Sequence, residues 1–189
     1  MLGIKWLENR EDKWRHFESE AMPLLPDLFR TAMWLARNRD EAEDLVQETM
    51  FQAMRSFHSY QMGTNCKAWL TRILYVQNVR RLQKVLRLKL VQDVDDEIAH
   101  TIPFEPQIPQ EIADEEVIAA IGRLPEIYRI VLVLADVEEL SYKEISSIMD
   151  IPMGTVMSRL SRGRRVLRIE LADYASRHGF GDQERAGAR

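Results

Sequence analysis

The sequence predicts an all-α protein built from two small helical domains that are joined by an acidic, proline-containing linker. Apolar residues recur at helical intervals through most of the 189 residues, and no segment alternates apolar and polar residues as a half-buried strand would. A composition of 46% hydrophobic and 30% charged residues, with only 8 glycines, is typical of a helix-rich globular protein. Three prolines among carboxylates interrupt the helical pattern once, and this interruption separates the two domains.

The domain boundaries follow from that interruption. Every charge from Leu90 to Glu116 is negative, and the prolines Pro103, Pro106 and Pro109 prevent a helix or strand from running through the segment. The end of the chain is small and polar, as in disordered tails. The expected segments are an extension at 1–22, a helical domain at 23–89, the linker at 90–112, a helical domain at 113–175 and a disordered tail at 176–189.

Several function classes lack the residues that they require. The longest strongly apolar run, IVLVLA at 130–135, is far too short to cross a membrane, and the N-terminus has no apolar signal core. Cys66 is the only cysteine and has no neighbour at zinc-ligand spacing. No phosphate-cradling glycine loop is present. We therefore expect a cytoplasmic protein without membrane insertion, enzymatic activity, metal or cofactor. Its histidines are isolated: His16, His58, His100 and His178.

Basic residues are concentrated in two segments, although the formal net charge is −4. Every charge from Lys67 to Lys89 is positive, and the segment from Ile151 to Arg168 holds five arginines and no carboxylate. A nucleic acid responds to a local basic face rather than to the net charge. The two segments predict two nucleic-acid contacts, with solvated helix faces as the alternative.

The second domain contains the pattern of a helix-turn-helix motif. The run IVLVLA after Pro125 favours a buried helix over a strand, because apolar positions continue at helical intervals on both sides. Ser141 and Glu144 stand at capping-box spacing and predict the start of a short helix. The sequence DIP at 150–152 then ends this helix, and a second helix is expected from about Met153.

The second helix of this motif has an apolar stripe and a basic face. Its inward positions are Val156, Leu160, Gly163 and Leu167. Such a helix fits the DNA major groove, where arginine can bond guanine edges or clamp phosphates. A surface helix with incidental arginines is the other interpretation. The outward residues, which we expect to contact DNA, are Thr155, Ser158, Arg159, Arg162 and Arg165.

Three stretches carry a resemblance to a known family. The segment LPEIYRIVLVLADVEELSYKEISSIMDIPMGTVMSRLSRGRRVLR resembles region four of the extracytoplasmic-function sigma factors, a subfamily of the sigma-70 RNA polymerase sigma factors. The segment RDEAEDLVQETMFQAMRSFHSY is similar to the polymerase-binding helix of region two, and CKAWLTRILYVQNVRRLQK to its promoter-melting segment. The resemblance implies an alternative sigma factor that binds core RNA polymerase and directs promoter recognition, melting and initiation. An anti-sigma factor commonly inhibits such proteins.

The resemblance also implies roles for individual residues. The upstream, minus-thirty-five, element would be read by the outward residues of the second helix. The melted downstream, minus-ten, element would be held by residues that combine positive charge with stacking or hydrogen-bonding groups: Arg72, Tyr75, Asn78, Arg80, Arg81 and Lys84. The clamp coiled coil of the largest catalytic polymerase subunit would be bound by Asp44, Leu45, Gln47, Glu48 and Phe51.

At three positions this chain differs from the family pattern, or the expected role of the residue differs. Trp69 has the spacing of a core residue rather than of a DNA-stacking platform. Many family members carry asparagine at the position of Val76, whereas the nearest asparagine here is Asn78. Met157 replaces a lysine that is common in relatives, which removes one phosphate contact and reduces the salt dependence of binding.

Two other functions fit part of the pattern. A conventional helix-turn-helix regulator would bind an operator without polymerase, and its N-terminal helices would sense a ligand or dimerise. A sigma-like decoy would sequester an anti-sigma factor without binding a promoter. The arginine face argues against the decoy, which has no need of Arg159, Arg162 and Arg165.

Overall fold

A computed structural model of the chain describes residues 14–91 and 115–177. The expected linker lies almost entirely outside the described residues, as do most of the N-terminal extension and the tail from residue 178 onward. Regular structure within the two described ranges is helical throughout, which confirms the predicted all-α class. We refer to residues 14–91 as the N-terminal domain and to residues 115–177 as the C-terminal domain.

Nine α-helices are found within the described ranges. The first, α1, covers 14–21, and a short 3₁₀ turn, Met22–Leu24, leads from it into α2. The remaining helices of the N-terminal domain are α2 (Leu25–Ala36), α3 (Arg39–Ser56) and α4 (Cys66–Val91). Those of the C-terminal domain are α5 (Glu115–Arg123), α6 (Glu126–Leu132), α7 (Tyr142–Met149), α8 (Met153–Glu170) and α9 (Ala172–Arg177).

Capping residues that can be recognised in the sequence fix the ends of α2, α3 and α7. Helix α2 ends at Ala36, and the capping residue Arg37 takes the left-handed conformation. Asn38 caps α3 by accepting a hydrogen bond from the backbone nitrogen of Glu41 at 3.0 Å. The predicted capping box is confirmed, since Ser141 and Glu144 each bond the other's backbone nitrogen at the start of α7.

The buried apolar residues of the two domains belong to one hydrophobic cluster. In the N-terminal domain α2, α3 and α4 pack on one another around Leu28, Leu45 and Leu70. In the C-terminal domain α6 and α7 pack against α8 around residues that are all buried: Val131, Leu132, Ile145, Val156 and Leu160. The two domains also contact each other, because α4 lies against α7.

The predicted inward stripe of α8 is confirmed in most of its members. Val156, Leu160 and Gly163 are buried, and Leu167 is half-buried against the core. Gly163 permits a close approach of α6, since a Cβ atom at this position would lie 3.3 Å from the Cβ of Tyr128.

The run IVLVLA forms buried helix, as predicted, but with an irregular end. Helix α6 begins at Glu126 and not at Pro125, which caps it from the preceding position. After Leu132 the chain forms a π-helical turn, Val133–Val137. Residue 139 then takes the left-handed conformation, although it is a glutamate with φ of +56°. These two irregularities set the direction of the chain between α6 and α7.

Candidate nucleic-acid and protein interfaces

One face of α8 is exposed and basic. Arg162 and Arg165 are exposed, as is Ser158, whose hydroxyl donates to the carbonyl of Thr155 at 3.0 Å. Thr155 itself is half-buried and donates its backbone nitrogen to the carbonyl of Pro152 at 2.8 Å. An apolar back and a cationic front therefore fall on opposite sides of one helix, as the helix-turn-helix interpretation requires.

A broad groove of about 530 Å³ runs beside this face. Four arginines of α8 line it together with Tyr142 and Met157: Arg162, Arg164, Arg165 and Arg168. A groove with this density of guanidinium groups suits the phosphates of a nucleic-acid backbone.

Arg164 is already engaged within the domain. Its Nη2 and Nε donate to the two carboxylate oxygens of Asp136 at 2.5 and 3.1 Å. The hydrogen bond to Asp136 raises the pKa of Arg164 above its usual value. Arg164 thus fixes α8 to the π-helical turn, and the remaining three arginines of the groove carry no ion pair of this kind among the described residues.

Arg159 faces the N-terminal domain rather than open solvent. It is half-buried, and its positive charge works to lower the pKa of the Tyr75 phenol in α4. Burial raises the pKa of Tyr75, while the Arg159 charge works in the opposite direction. The structure thus brings one residue predicted for the upstream element close to one predicted for the downstream element.

The predicted downstream-element residues divide into two groups along α4. Arg80 and Lys84 are exposed, and Arg81 pairs with Glu41 of α3 at 2.8 Å. Arg72 donates to the hydroxyl of Ser147 in α7 at 2.7 Å, so it is held by the other domain.

Asn78 lies inside the N-terminal domain. It is 1% exposed, and its Oδ1 atom has no hydrogen-bond partner. A direct contact of Asn78 with DNA would require α4 to move.

A second groove of about 260 Å³ lies between α3 and α4. Arg72 and Arg80 line it beside the half-buried ring of Trp69. Gln52 and Gln77 add amide groups that can hydrogen-bond a base edge. The sequence prediction missed both glutamines, because they line the same groove only after α3 and α4 have packed.

Trp69 packs against two other aromatic rings of the N-terminal domain. The centroid of its ring lies 5.1 Å from that of Tyr60 and 6.1 Å from that of Phe57. These contacts are in keeping with its predicted core position.

Helix α3 offers an acidic face with an apolar edge. Asp44, Gln47 and Glu48 are exposed, and Phe51 is 58% exposed with the guanidinium of Arg55 at 5.6 Å from its ring centroid. Leu45, predicted as part of the same surface, is 1% exposed and belongs to the core. It supports the face from beneath, and a direct contact by Leu45 would require this core to open.

The described ranges hold neither a cluster of metal ligands nor a membrane-spanning helix. No group of three or more His, Cys, Asp or Glu side chains there could hold a metal ion. No helix in those ranges combines the length and the apolar character needed to span a membrane.

Comparisons with known proteins match both domains. A family model for sigma-70 region 2 matches residues 21–87, and one for sigma-70 region 4 matches residues 114–167. The ECF RNA polymerase sigma factor SigE of Mycolicibacterium smegmatis is 38% identical over 79% of this chain and 59% of its own length. The ECF RNA polymerase sigma factor EcfG of Rhodopseudomonas palustris is 34% identical over 88% of this chain and 92% of its own length.

A solved structure shows the same arrangement of helices. The sigma factor RpoE from Bartonella quintana, in a co-crystal with the anti-sigma factor NepR, superposes with a TM-score of 0.69. The two chains are 32% identical, and the match covers 84% of this chain and 98% of that one.

Proposed function

Since the chain belongs to the extracytoplasmic-function RNA polymerase sigma factors, we propose that it is an alternative sigma factor that directs core polymerase to its own promoters. Proteins of this family are transcription initiation factors and not enzymes. Transcription takes place where the chromosome is, so we place the protein in the cytoplasm. The observation that carries the proposal is the exposed arginine face of α8 on its buried apolar back.

In the upstream contact α8 enters the major groove of the minus-thirty-five element. Arg162 and Arg165 are exposed where they can reach bases or phosphates, and Ser158 can bond the backbone. Thr155 and Arg159 are half-buried in the packed arrangement, so their contact with DNA depends on the separation of the two domains.

In the downstream contact the groove between α3 and α4 receives the opened strand. Arg80 and Lys84 attract phosphates, and the amides of Gln52 and Gln77 face a space of about 260 Å³ that suits one unstacked base. The clamp coiled coil of the polymerase binds the exposed part of the α3 face, where Phe51 is the apolar anchor beside acidic residues.

The experiment is transcription from genomic fragments with purified core polymerase. We expect new start sites that share two upstream elements, and we expect their loss in the triple variant Arg159→Ala/Arg162→Ala/Arg165→Ala. The matched control, Arg123→Ala/Arg177→Ala, removes arginines that pair with Glu170 and Glu116 outside this face and should transcribe normally.

Two results would replace this proposal. A protein that binds core polymerase but yields no start sites would be a decoy, whereas one that footprints duplex DNA without polymerase would be a conventional regulator. Regulation by an anti-sigma factor is part of the proposal, because the RpoE relative was crystallised with such a partner. A partner of this kind should co-purify with the triple variant as well as with the wild type.

A further inference from the structure

One exposed side chain on the basic face of α8 is apolar. Met157 lies in the second turn of the helix and is 49% exposed. It lines the groove of about 530 Å³ together with Arg162 and Arg165. The preceding residue, Val156, is fully buried and supplies the core contact of this turn. Because an apolar group gains nothing from a phosphate, the charge of this face does not account for Met157.

Met153 extends this apolar surface towards the start of the helix. It is 50% exposed and precedes Met157 by four residues, so the two side chains are neighbours on one side of α8. Both lie in the first two turns. In a helix-turn-helix motif, the residues near the N-terminus of the second helix are the ones that contact base edges. We call Met153 and Met157 the methionine pair.

The charges around the methionine pair favour duplex DNA over an apolar protein partner. The segment from Ile151 to Arg168 holds five arginines and no carboxylate, and the exposed Arg162 and Arg165 share the groove with Met157. A protein that covered the pair with an apolar surface would also bury these guanidinium groups without counter-charges, at a large cost in desolvation. Duplex DNA covers the pair and supplies phosphates to the arginines at the same time.

The major groove offers one methyl group to an apolar side chain. The base edges there present hydrogen-bond donors and acceptors, and thymine alone adds a C5-methyl group. A methionine that reaches the base edges therefore strengthens binding only where this methyl group is present. The side chain of methionine is unbranched, flexible and polarizable, so it can adapt to the position of the methyl group.

The first turn of α8 leaves room for the close approach that such a contact needs. Apolar groups are in contact when their heavy atoms lie within about 4.0–4.5 Å. Gly154 stands between the two methionines in the sequence, and a Cβ atom there would meet nothing within 4 Å, so the surface at this position is open. Farther along the helix, Arg164 is bonded to Asp136 and holds α8 against the rest of the domain. The methionine pair thus stands on a helix whose orientation is fixed.

We propose that Met157, with Met153 beside it, recognises the C5-methyl group of a thymine in the upstream element. This inference rests on the proposed function, in which α8 enters the major groove of that element. The methionine pair makes the affinity depend on base identity at one position. The arginines around it, where they clamp phosphates, carry no such information, since phosphates are the same in every sequence.

The test removes one methyl group at a time from the DNA. The holoenzyme, formed from the full chain and core polymerase, first selects duplexes from a library of random sequence. Each thymine of the selected upstream element, on either strand, is then replaced in turn by deoxyuridine, which lacks the C5-methyl group and keeps every hydrogen-bonding atom. Fluorescence anisotropy measures the affinity of the holoenzyme for each labelled duplex.

The inference predicts that deoxyuridine at one position weakens binding of the wild type about fourfold, the contribution of one buried methyl group. In Met157→Ala the same replacement should have no effect, because no side chain reaches the methyl group. In Met157→Lys it should also have no effect, while the dependence of affinity on salt concentration becomes steeper by about one counterion.

The matched control is Ile169→Ala. Ile169 is an apolar residue of the last turn of the same helix, and it is 72% exposed outside the groove. Its replacement should leave the fourfold effect of deoxyuridine intact. A change in DNA shape caused by deoxyuridine would weaken the wild type and Met157→Ala equally, so the comparison of these two proteins isolates the methyl contact. The measurement on the wild type needs no variant and so does not depend on the folding of one.

Three results would overturn the inference alone. The first is a selected upstream element without thymine on either strand, and the second is a wild-type holoenzyme that tolerates deoxyuridine at every position of that element. The third is a fourfold effect that persists in Met157→Ala. A holoenzyme that selects no upstream element from the library would instead refute the proposed function, and the inference with it.

Discussion

At the scale of single residues, Glu139 has a backbone conformation that suits glycine better than glutamate. Its φ of +56° brings the Cβ atom close to the backbone, a conformation that glycine adopts without this cost. We expect Glu139→Gly to stabilise the protein by about 0.5–1 kcal/mol, measured by urea unfolding.

The control for this variant is Lys143→Gly. Lys143 is exposed in the right-handed helix α7, where glycine should destabilise by about 1 kcal/mol relative to a good helix former. A loss of stability in Glu139→Gly as large as that in Lys143→Gly would mean that residue 139 is not under backbone strain.

Cys66 should be almost unreactive in the folded protein. It is 6% exposed, and burial, together with the charge of Glu20, raises the pKa of its thiol to about 11. Because the thiolate is the reactive form, we expect iodoacetamide at pH 8 to modify the native protein far more slowly than the urea-unfolded protein. Since Cys66 is the only cysteine, intact mass reports this reaction directly. Equal rates in the two states would contradict the buried position.

At the scale of elements, the contact between α6 and α8 depends on Gly163. A Cβ atom there would lie 3.3 Å from the Tyr128 Cβ and 3.6 Å from its carbonyl oxygen. We expect Gly163→Val to force the helices apart and to destabilise the C-terminal domain by about 1–3 kcal/mol, measured by urea unfolding.

Gly154 provides the matched control. It lies in the first turn of the same helix, and a Cβ atom at this position would meet nothing within 4 Å. Gly154→Ala should therefore leave stability unchanged or raise it by up to about 1 kcal/mol through helix propensity. If both substitutions lowered the free energy of unfolding by similar amounts, the close approach of α6 to Gly163 would not be the cause of the loss.

The cap of α7 should make the C-terminal domain sensitive to acid. Although burial works to raise the pKa of Glu144, hydrogen bonds from Ser141 and Asn65 hold it below the ordinary value of 4.5. A lowered native pKa adds stability that is fully present above pH 4.5 and is lost as the pH falls through the lower native value.

The measurement compares melting temperatures at pH 7 and pH 3. The decrease for Glu144→Gln should be smaller than for the wild type, because the variant has no carboxylate to protonate at this cap. The control Glu139→Gln removes a carboxylate outside the capping box and should retain the wild-type decrease. Equal decreases in melting temperature for the wild type and Glu144→Gln would mean that the capping box does not contribute to the loss of stability in acid.

At the scale of the whole molecule, the sequence predicts each domain better than it predicts their contact. Helical spacing and the Ser141–Glu144 pair identify α7 and α8, because the interactions that form them lie within a few residues. The pairing of Arg30 with Glu138 joins residues 108 positions apart, and no periodicity of a single chain reveals it. The π-helical turn is hidden for a related reason, since it depends on packing and not on a local signal.

The contrast between local patterns and long-range packing also explains which predicted site residues are in fact exposed. Arg162 and Arg165 are exposed because they lie opposite a continuous apolar stripe, and that stripe is visible in the sequence. Asn78 and Leu45 were assigned from the resemblance alone, and both are 1% exposed. Family position identifies an aligned residue, but burial depends on which face of the helix meets the core.

A cross-link between the domains tests whether the contact between α4 and α7 can persist during initiation. Asn65 and Glu144 are bonded at 2.7 Å between α4 and α7, so cysteines at both positions can be joined by a short bismaleimide while buried Cys66 stays unmodified. Elements centred at minus ten and minus thirty-five lie about 25 base pairs apart, which is roughly 85 Å of B-form DNA at ~3.4 Å per base pair. A protein whose α4 and α7 are held together cannot reach both elements, so we expect the cross-linked form to lose transcription of its promoters.

The uncross-linked double variant and each single variant treated with the same reagent are the controls. They should remain active, because the modification alone leaves the domains free to separate. Full activity of the cross-linked protein would mean that α4 and α7 stay together on promoter DNA. Loss of activity only in the cross-linked form would link the separation of α4 from α7 to initiation itself.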